Sequence, residues 1–117
     1  MGRLTTHVLD TAHGVPGAFM RVELYRLDAD GRMRVAEAIT NADGRCDRPL
    51  LEGPALIVAP YELIFHAGDY FAARGLDLPQ PRFIDIVALR FGINDAAQHY
   101  HVPLLVSPFA YSTYRGS

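Results

Sequence analysis

The sequence predicts an all-β protein: a two-sheet antiparallel β-sandwich of about eight short strands with one short helix. Three observations carry that reading. Apolar and polar residues alternate over short segments rich in Val, Ile, Thr, Tyr and Phe. Turn signals built from Gly, Pro, Asp and Asn recur about every eight to twelve residues. Only one stretch, Gly68–Gly75, reads as a helix.

Leu4–Asp10 alternates, with Thr5, His7 and Leu9 on one face and Leu4, Thr6 and Val8 on the other, so it is a strand that puts His7 on a defined face. Thr11–Gly17 holds Gly14, Pro16 and Gly17 and reads as a loop. Ala18–Leu27 sets Met20, Val22 and Leu24 against Arg21, Glu23 and Tyr25, the pattern of a half-buried strand. Asp30-Gly31 marks a hairpin turn within Asp28–Arg32, and Arg34–Thr40 is a weaker returning strand. Asp43-Gly44 makes a tight turn and puts Arg45 just after it. Between Pro49 and Pro60 the apolar run Ala55–Ala59 has no decided type. Tyr61–His66 alternates, with Tyr61, Leu63 and Phe65 as its core set. In Gly68–Gly75 the expected N-cap is Asp69 and the stop is Gly75. Leu76–Pro81 is a proline-bearing loop, Phe83–Phe91 a strand with two apolar faces, and Gly92–Gln98 a loop.

The ending, HYHVPLLVSPFAYSTYRGS, is the stretch densest in reactive groups. His99–Val106 is a strand broken only by Pro103, Ser107-Pro108 a turn, and Phe109–Tyr114 a second strand. An aromatic run so near a terminus predicts docking in a sheet. Docking brings Tyr114, Arg115, the Ser117 hydroxyl and the terminal carboxylate to one place.

Composition narrows the function. A chain of 117 residues, half of them hydrophobic, is expected to form one globular domain over residues 1–117 with a core that needs no staples. A net charge of −2 offers no basic field and argues against a nucleic-acid partner. Cys46 is the only cysteine, which excludes an intrachain disulfide, CxxC redox chemistry and a thiolate-rich metal site. No apolar run approaches the roughly 18 residues of a membrane span. The start, MGRLTTHVLD, has no signal-peptide core, and the strand-like residues after Gly2 argue against lipidation. A cytoplasmic protein with no membrane partner is expected.

Five histidines and several arginines admit both structural and chemical readings. A lone strand histidine such as His7 is commonly a satisfied structural group. His99 and His101, two apart on a strand, project from one face roughly 6.6–6.8 Å apart. With a third histidine that spacing suits a metal; the bland reading makes one of them a solvent-facing edge residue. His13 and His66 sit in or beside loops and read as surface. Arg45 and Arg115 are either solvated or fixed guanidinium groups that bind a planar anion or an oxyanion. Ser112 and Ser117 lack a triad pattern, and the phosphate-loop motifs GxxxxGK[ST] and GxGxxG are missing. A sandwich that sets its first and last strands side by side gathers His7, His101 and Arg115–Ser117 on one surface. Two histidines and an arginine there suit proton transfer and anion stabilisation near neutral pH.

LTTHVLDTAHGVP at the start, TNADGR at Thr40–Arg45, YELIFHAGDYFAARG in the middle and YHVPLLVSPFAYSTYRGS at the end resemble the transthyretin-related family of 5-hydroxyisourate hydrolases. The resemblance covers nearly the whole chain. Its most specific feature is YRGS, Tyr114–Ser117, which separates the hydrolases from transthyretin carriers that share the fold. The resemblance implies a transthyretin-like sandwich assembled as a homotetramer, with active sites in the channel between dimers. It implies hydrolytic ring opening of 5-hydroxyisourate to 2-oxo-4-hydroxy-4-carboxy-5-ureidoimidazoline in urate degradation, with no metal or other cofactor. The family's first catalytic histidine matches His7, its arginine Arg45, and its second histidine His101, not His99. Its C-terminal tetrapeptide matches Tyr114, Arg115, Gly116 and Ser117. Under this reading His7, Arg45, His101 and Ser117 are catalytic, and His7, Arg45, Tyr114, Arg115 and Gly116 bind substrate. Gly17, Ala88 and Val106 depart from the family's usual Ala, Pro and Leu, and none of them is a matched catalytic position. Two competing readings are a transthyretin-like small-ligand carrier and a zinc hydrolase using His7, His99 and His101.

Overall fold

Two sheets share one apolar core in the computed structural model, which describes residues 1–116. The strands are β1 (Arg3–Asp10), β2 (Val15–Pro16), β3 (Arg21–Asp28), β4 (Gly31–Ile39), β5 (Leu51–Glu52), β6 (Ala59–His66), β7 (Ile86–Ile93), β8 (His99–Val106) and β9 (Tyr111–Thr113). The helix α1 spans Ala67–Ala73. One sheet runs β2-β1-β8-β9, with β5 also on β1, and the other runs β4-β3-β6-β7.

The alternation read from the sequence decides which faces meet. Leu4 and Val8 of β1, Met20 beside β3 with its Val22 and Leu24, and Tyr61, Leu63 and Phe65 of β6 are all inside. Burying such side chains contributes about 1.5–3 kcal/mol each, the main term holding the sheets together. Among the described residues all strand pairings are antiparallel except one: β1 and β8 run parallel, with Thr5 opposite His101 and His7 opposite Pro103. The purely antiparallel expectation is corrected there.

Several boundaries also move. Thr11–Gly17 is not all loop, because Val15–Pro16 folds back on Leu9 and Asp10. β3 begins at Arg21, since Phe19 takes a positive φ of 62° while its N–H donates to Thr40 O at 2.9 Å. The undecided Ala55–Ala59 run starts at the end of a 3-10 turn, Gly53–Ala55, and buries only Leu56 deeply before β6 begins. Asp69 does not cap α1. The capping position is His66, and Asp69 lies in the first turn with its carboxylate 2.7 Å from Arg82 Nη1. Arg82 also holds Asp85 at 2.9 Å, while Gly68 N–H donates to Asp85 O at 2.8 Å. These bonds tie residues 82–85 to the helix, so β7 starts at Ile86 and not at Phe83. Gly75 stops the helix as expected, with φ 87°. Ser107 Oγ accepts from the N–H groups of Phe109 and Ala110, which lengthens the last turn and shortens β9.

His66 is not a surface group. Its Nε2 lies 2.7 Å from Oε1 of Glu23, a buried carboxylate that also accepts from Tyr25 OH and Arg34. His13 does stay at the surface, its Nδ1 2.6 Å from Asp10 Oδ2.

Candidate active site

The pleat of the β1–β8 pair builds the site. Leu4, Thr6 and Val8 of β1 and Tyr100, Val102 and Leu104 of β8 face the core. Thr5, His7, His99 and His101 therefore share the opposite, outer face. The parallel register sets Thr5 beside His101.

Arg45 reaches the same face through the turn at Asn41–Arg45. Asn41 Oδ1 accepts from Asp43 N–H at 2.9 Å and Arg45 N–H at 3.2 Å, and Asn41 N–H donates to Arg45 O at 2.7 Å. Gly44 is required twice over. Its φ is +76°, and a Cβ there would lie 2.4 Å from Val8 O, whose own N–H donates to Gly44 O at 2.8 Å. This clasp brings Arg45 into a β-bridge with His7.

Each histidine has a definite partner. His7 Nε2 lies 3.0 Å from Asp43 O. A carbonyl only accepts, so Nε2 carries the proton and Nδ1 of neutral His7 keeps its lone pair. His101 Nδ1 lies 2.8 Å from Thr5 Oγ1, and the same hydroxyl is 3.3 Å from His99 Nε2. Burial pushes the pKa of His7 below its usual 6.5, and the neighbouring Arg45 pushes it further. Burial likewise lowers His101, helped by Arg45, His7 and His99. Both imidazoles are therefore neutral at pH 7.

A groove of about 470 Å³ opens on this face, lined by Arg3, Thr5, Thr6, Arg45, Cys46, Asp47, Arg48, Pro49, His99 and His101. Three arginines against one aspartate give it a positive bias suited to a flat ligand rich in carbonyl oxygens. Gly116 is held against His101. Gly116 N–H donates to His101 O at 2.7 Å, and a Cβ on Gly116 would fall 2.6 Å from His101 Cδ2. Arg115 stacks 4.2 Å above the Tyr100 ring and donates to Gln98 Oε1 at 2.8 Å. Tyr114 and Arg115 border a second groove, of about 430 Å³, between β7, β8 and β9. His7, Arg45, His101 and Gly116 thus come together within the chain, while Tyr114 and Arg115 face elsewhere. Ser117 lies outside the described residues.

Sequence reasoning missed Thr5 and Arg3. Thr5 was legible as sharing the face of His7, but its pairing with His101 depends on the β1–β8 register. Among the described residues no group of three His, Cys, Asp or Glu side chains converges as a metal-holding set. His7, which the zinc reading needs, turns its Nε2 to a backbone carbonyl.

The sequence model of the HIUase/transthyretin family matches residues 4–116. A 5-hydroxyisourate hydrolase of Pseudomonas aeruginosa is 58% identical over 117 residues, covering 100% of this chain and 93% of the relative. A crystal structure of (S)-allantoin synthase superposes with a TM-score of 0.94 at 48% identity; it covers 99% of this chain, which spans only 44% of that protein. Sea bream transthyretin in complex with thyroxine superposes with a TM-score of 0.87 at 25% identity, covering 97% of this chain and 94% of that one.

Proposed function

This chain belongs to the HIUase/transthyretin family and is a 5-hydroxyisourate hydrolase of urate degradation, and we propose that His7, Arg45 and His101 carry its chemistry. The observation behind that assignment is the meeting of two neutral imidazoles and one guanidinium on the outer face of β1 and β8.

Water adds to a ring carbonyl carbon, the ring C–N bond breaks, and the released nitrogen takes a proton. The product is 2-oxo-4-hydroxy-4-carboxy-5-ureidoimidazoline, with one new carboxylate and one new ureido group. His7 and His101 flank the water: one takes its proton and the other holds it in position. Arg45 binds carbonyl oxygens in the ring plane and stabilises the charge that develops on them, a geometry lysine does not match. No metal or other cofactor is called on. Gly116 acts through its contact with His101, and Ser117 completes the pocket.

Tyr114 and Arg115 bind substrate in an assembled homotetramer. Support for assembly comes from the exposed apolar side chains Phe83, Ile86, Phe109 and Tyr111 near the β7 and β9 edges. Sedimentation as an active monomer of 12.9 kDa would refute the tetramer. Residues 1–117 act as one domain. No helix among the described residues is long and apolar enough to cross a membrane, and the free thiol of Cys46 suits the reducing cytoplasm.

The test is the decay of freshly made 5-hydroxyisourate, followed by ultraviolet absorbance. Removing one electrostatic donor of this kind costs about 100- to 1000-fold in rate. An Arg45→Ala protein with wild-type turnover overturns the assignment. The carrier reading draws on the fold shared with transthyretin; tight binding of an iodinated aromatic hormone without turnover would restore it.

A further inference from the structure

We propose that Arg3, His99 and Thr5 form a directional hydrogen-bond relay that holds His101 in the tautomer protonated on Nε2, which makes His101 a hydrogen-bond donor and leaves His7 as the base. The inference rests on the reading that His7 and His101 meet the substrate.

The direction follows from what each group is able to donate. Arg3 Nε lies 3.5 Å from His99 Nδ1, and a guanidinium has no acceptor, so His99 Nδ1 must supply the lone pair. Neutral His99 then carries its proton on Nε2, which faces Thr5 Oγ1 at 3.3 Å and donates to it. The Thr5 hydroxyl, already accepting, turns its own proton to His101 Nδ1 at 2.8 Å. Neutral His101 therefore keeps its proton on Nε2. The reverse order is closed, because it makes His99 accept at both ring nitrogens while neutral. The relay shortens toward the site, and the first link, to an exposed arginine, sets the sense of the rest.

The two histidines then divide the work. His7 has its Nε2 proton committed to Asp43 O, and among the described residues no hydrogen bond engages its Nδ1 lone pair. It takes a proton from water as the hydroxide adds to the carbonyl carbon, and returns that proton to the ring nitrogen as the C–N bond breaks. His101 transfers no proton. It donates a hydrogen bond from Nε2 to the water or to the carbonyl oxygen as that oxygen becomes negative, a role open to a neutral imidazole. Burial and the Arg45 charge favour that neutral form.

The experiment reverses the relay. Arg3→Glu supplies an acceptor where Arg3 donates: His99 would protonate Nδ1, Thr5 would donate to His99 and accept from His101, and His101 would shift to the Nδ1-protonated form. The ring nitrogens of 15N-labelled protein report the tautomer by NMR, with His101 assigned by its loss in His101→Gln. Wild-type protein should show Nε2–H at His101. Arg3→Glu should show Nδ1–H, with kcat down at least about tenfold, since a mis-set catalytic tautomer costs up to about 10⁴-fold. Arg3→Lys keeps a donor and should restore both. Loss of groove charge alone would raise KM and leave kcat and the tautomer in place. Thr5→Val, isosteric within β1, should give mixed tautomers and an intermediate kcat. Nδ1–H in the wild type, or a reversed tautomer with unchanged kcat, overturns the relay. So does an Arg3→Glu protein that keeps both Nε2–H and full kcat. Full turnover by His101→Gln would instead sink the reading of the site. An inactive His101→Gln beside normal Arg3→Glu and Thr5→Val proteins would reject the relay only.

Discussion

Gly116→Ala tests the site through a single methyl group. The added Cβ would stand 2.6 Å from His101 Cδ2, 3.3 Å from Cγ and 3.4 Å from the His101 Cβ. Carbon atoms rest at about 3.5–4.0 Å, so roughly 0.9 Å must be found. Either the imidazole slides by that distance, or the terminal backbone retreats and stretches the 2.7 Å bond from Gly116 N–H to His101 O. The first moves a reacting group; displacements near 1 Å cost about 100-fold in rate. The second gives up one hydrogen bond, worth about 1 kcal/mol, at a half-buried chain end. The expected result is a kcat lower by about 10- to 100-fold, with a thermal midpoint only a few degrees below wild type. Turnover of fresh 5-hydroxyisourate and a melting curve on the same sample measure both. Wild-type kcat in the folded Gly116→Ala protein would refute the claim that the terminus sets the position of His101.

Four further outcomes are expected. Because His7 and His101 both have pKa values lowered below 6.5 and act as neutral groups, the acid limb of the pH–rate profile should lie below pH 6.5. Arg45→Ala removes one lowering cause and should move what remains of that limb upward. Deleting Arg115–Ser117 removes little apolar surface, so stability should change modestly while turnover falls by at least about tenfold; a folded, fully active truncation would make the ending dispensable. Glu23 is held at a pKa of about 2, chiefly by its hydrogen bond with His66. Its folded pKa is depressed, so its contribution is full above the ordinary 4.5 and is lost as pH falls through about 2. Glu23→Gln should therefore lower stability at pH 7 by about 1 kcal/mol in chemical denaturation, with the gap to wild type closing at the acid end.

The sequence announced the core more clearly than the edges. Period-two alternation put Leu4 and Val8 on one face of the first strand and marked Met20, Val22, Leu24, Tyr61, Leu63 and Phe65 as apolar faces, and all of them are buried. Alternation fails where a side chain answers to a distant partner. Asp69 looked like a cap but bonds Arg82, and His66 looked exposed but completes the buried Glu23 cluster. Asp43-Gly44 foretold the turn that presents Arg45, since its cause is local. The parallel pairing of β1 with β8 is not local: no spacing within either strand encodes which strand lies beside it. Thr5 was for that reason invisible as a partner of His101, although the sequence did group Thr5 with His7 and His99 with His101 on one face each.

That parallel pair also has a consequence in time. Thr5 and His101 are 96 positions apart, and β1 needs β8 to become an interior strand. Contacts of such long sequence separation form late, after the loop-closure cost of the intervening chain has been met. The other sheet contains the β3–β4 hairpin and has no such dependence on the first strand. During refolding from denaturant, sheet content should therefore return before catalysis does, and the first turnover should coincide with the joining of the chain's two ends.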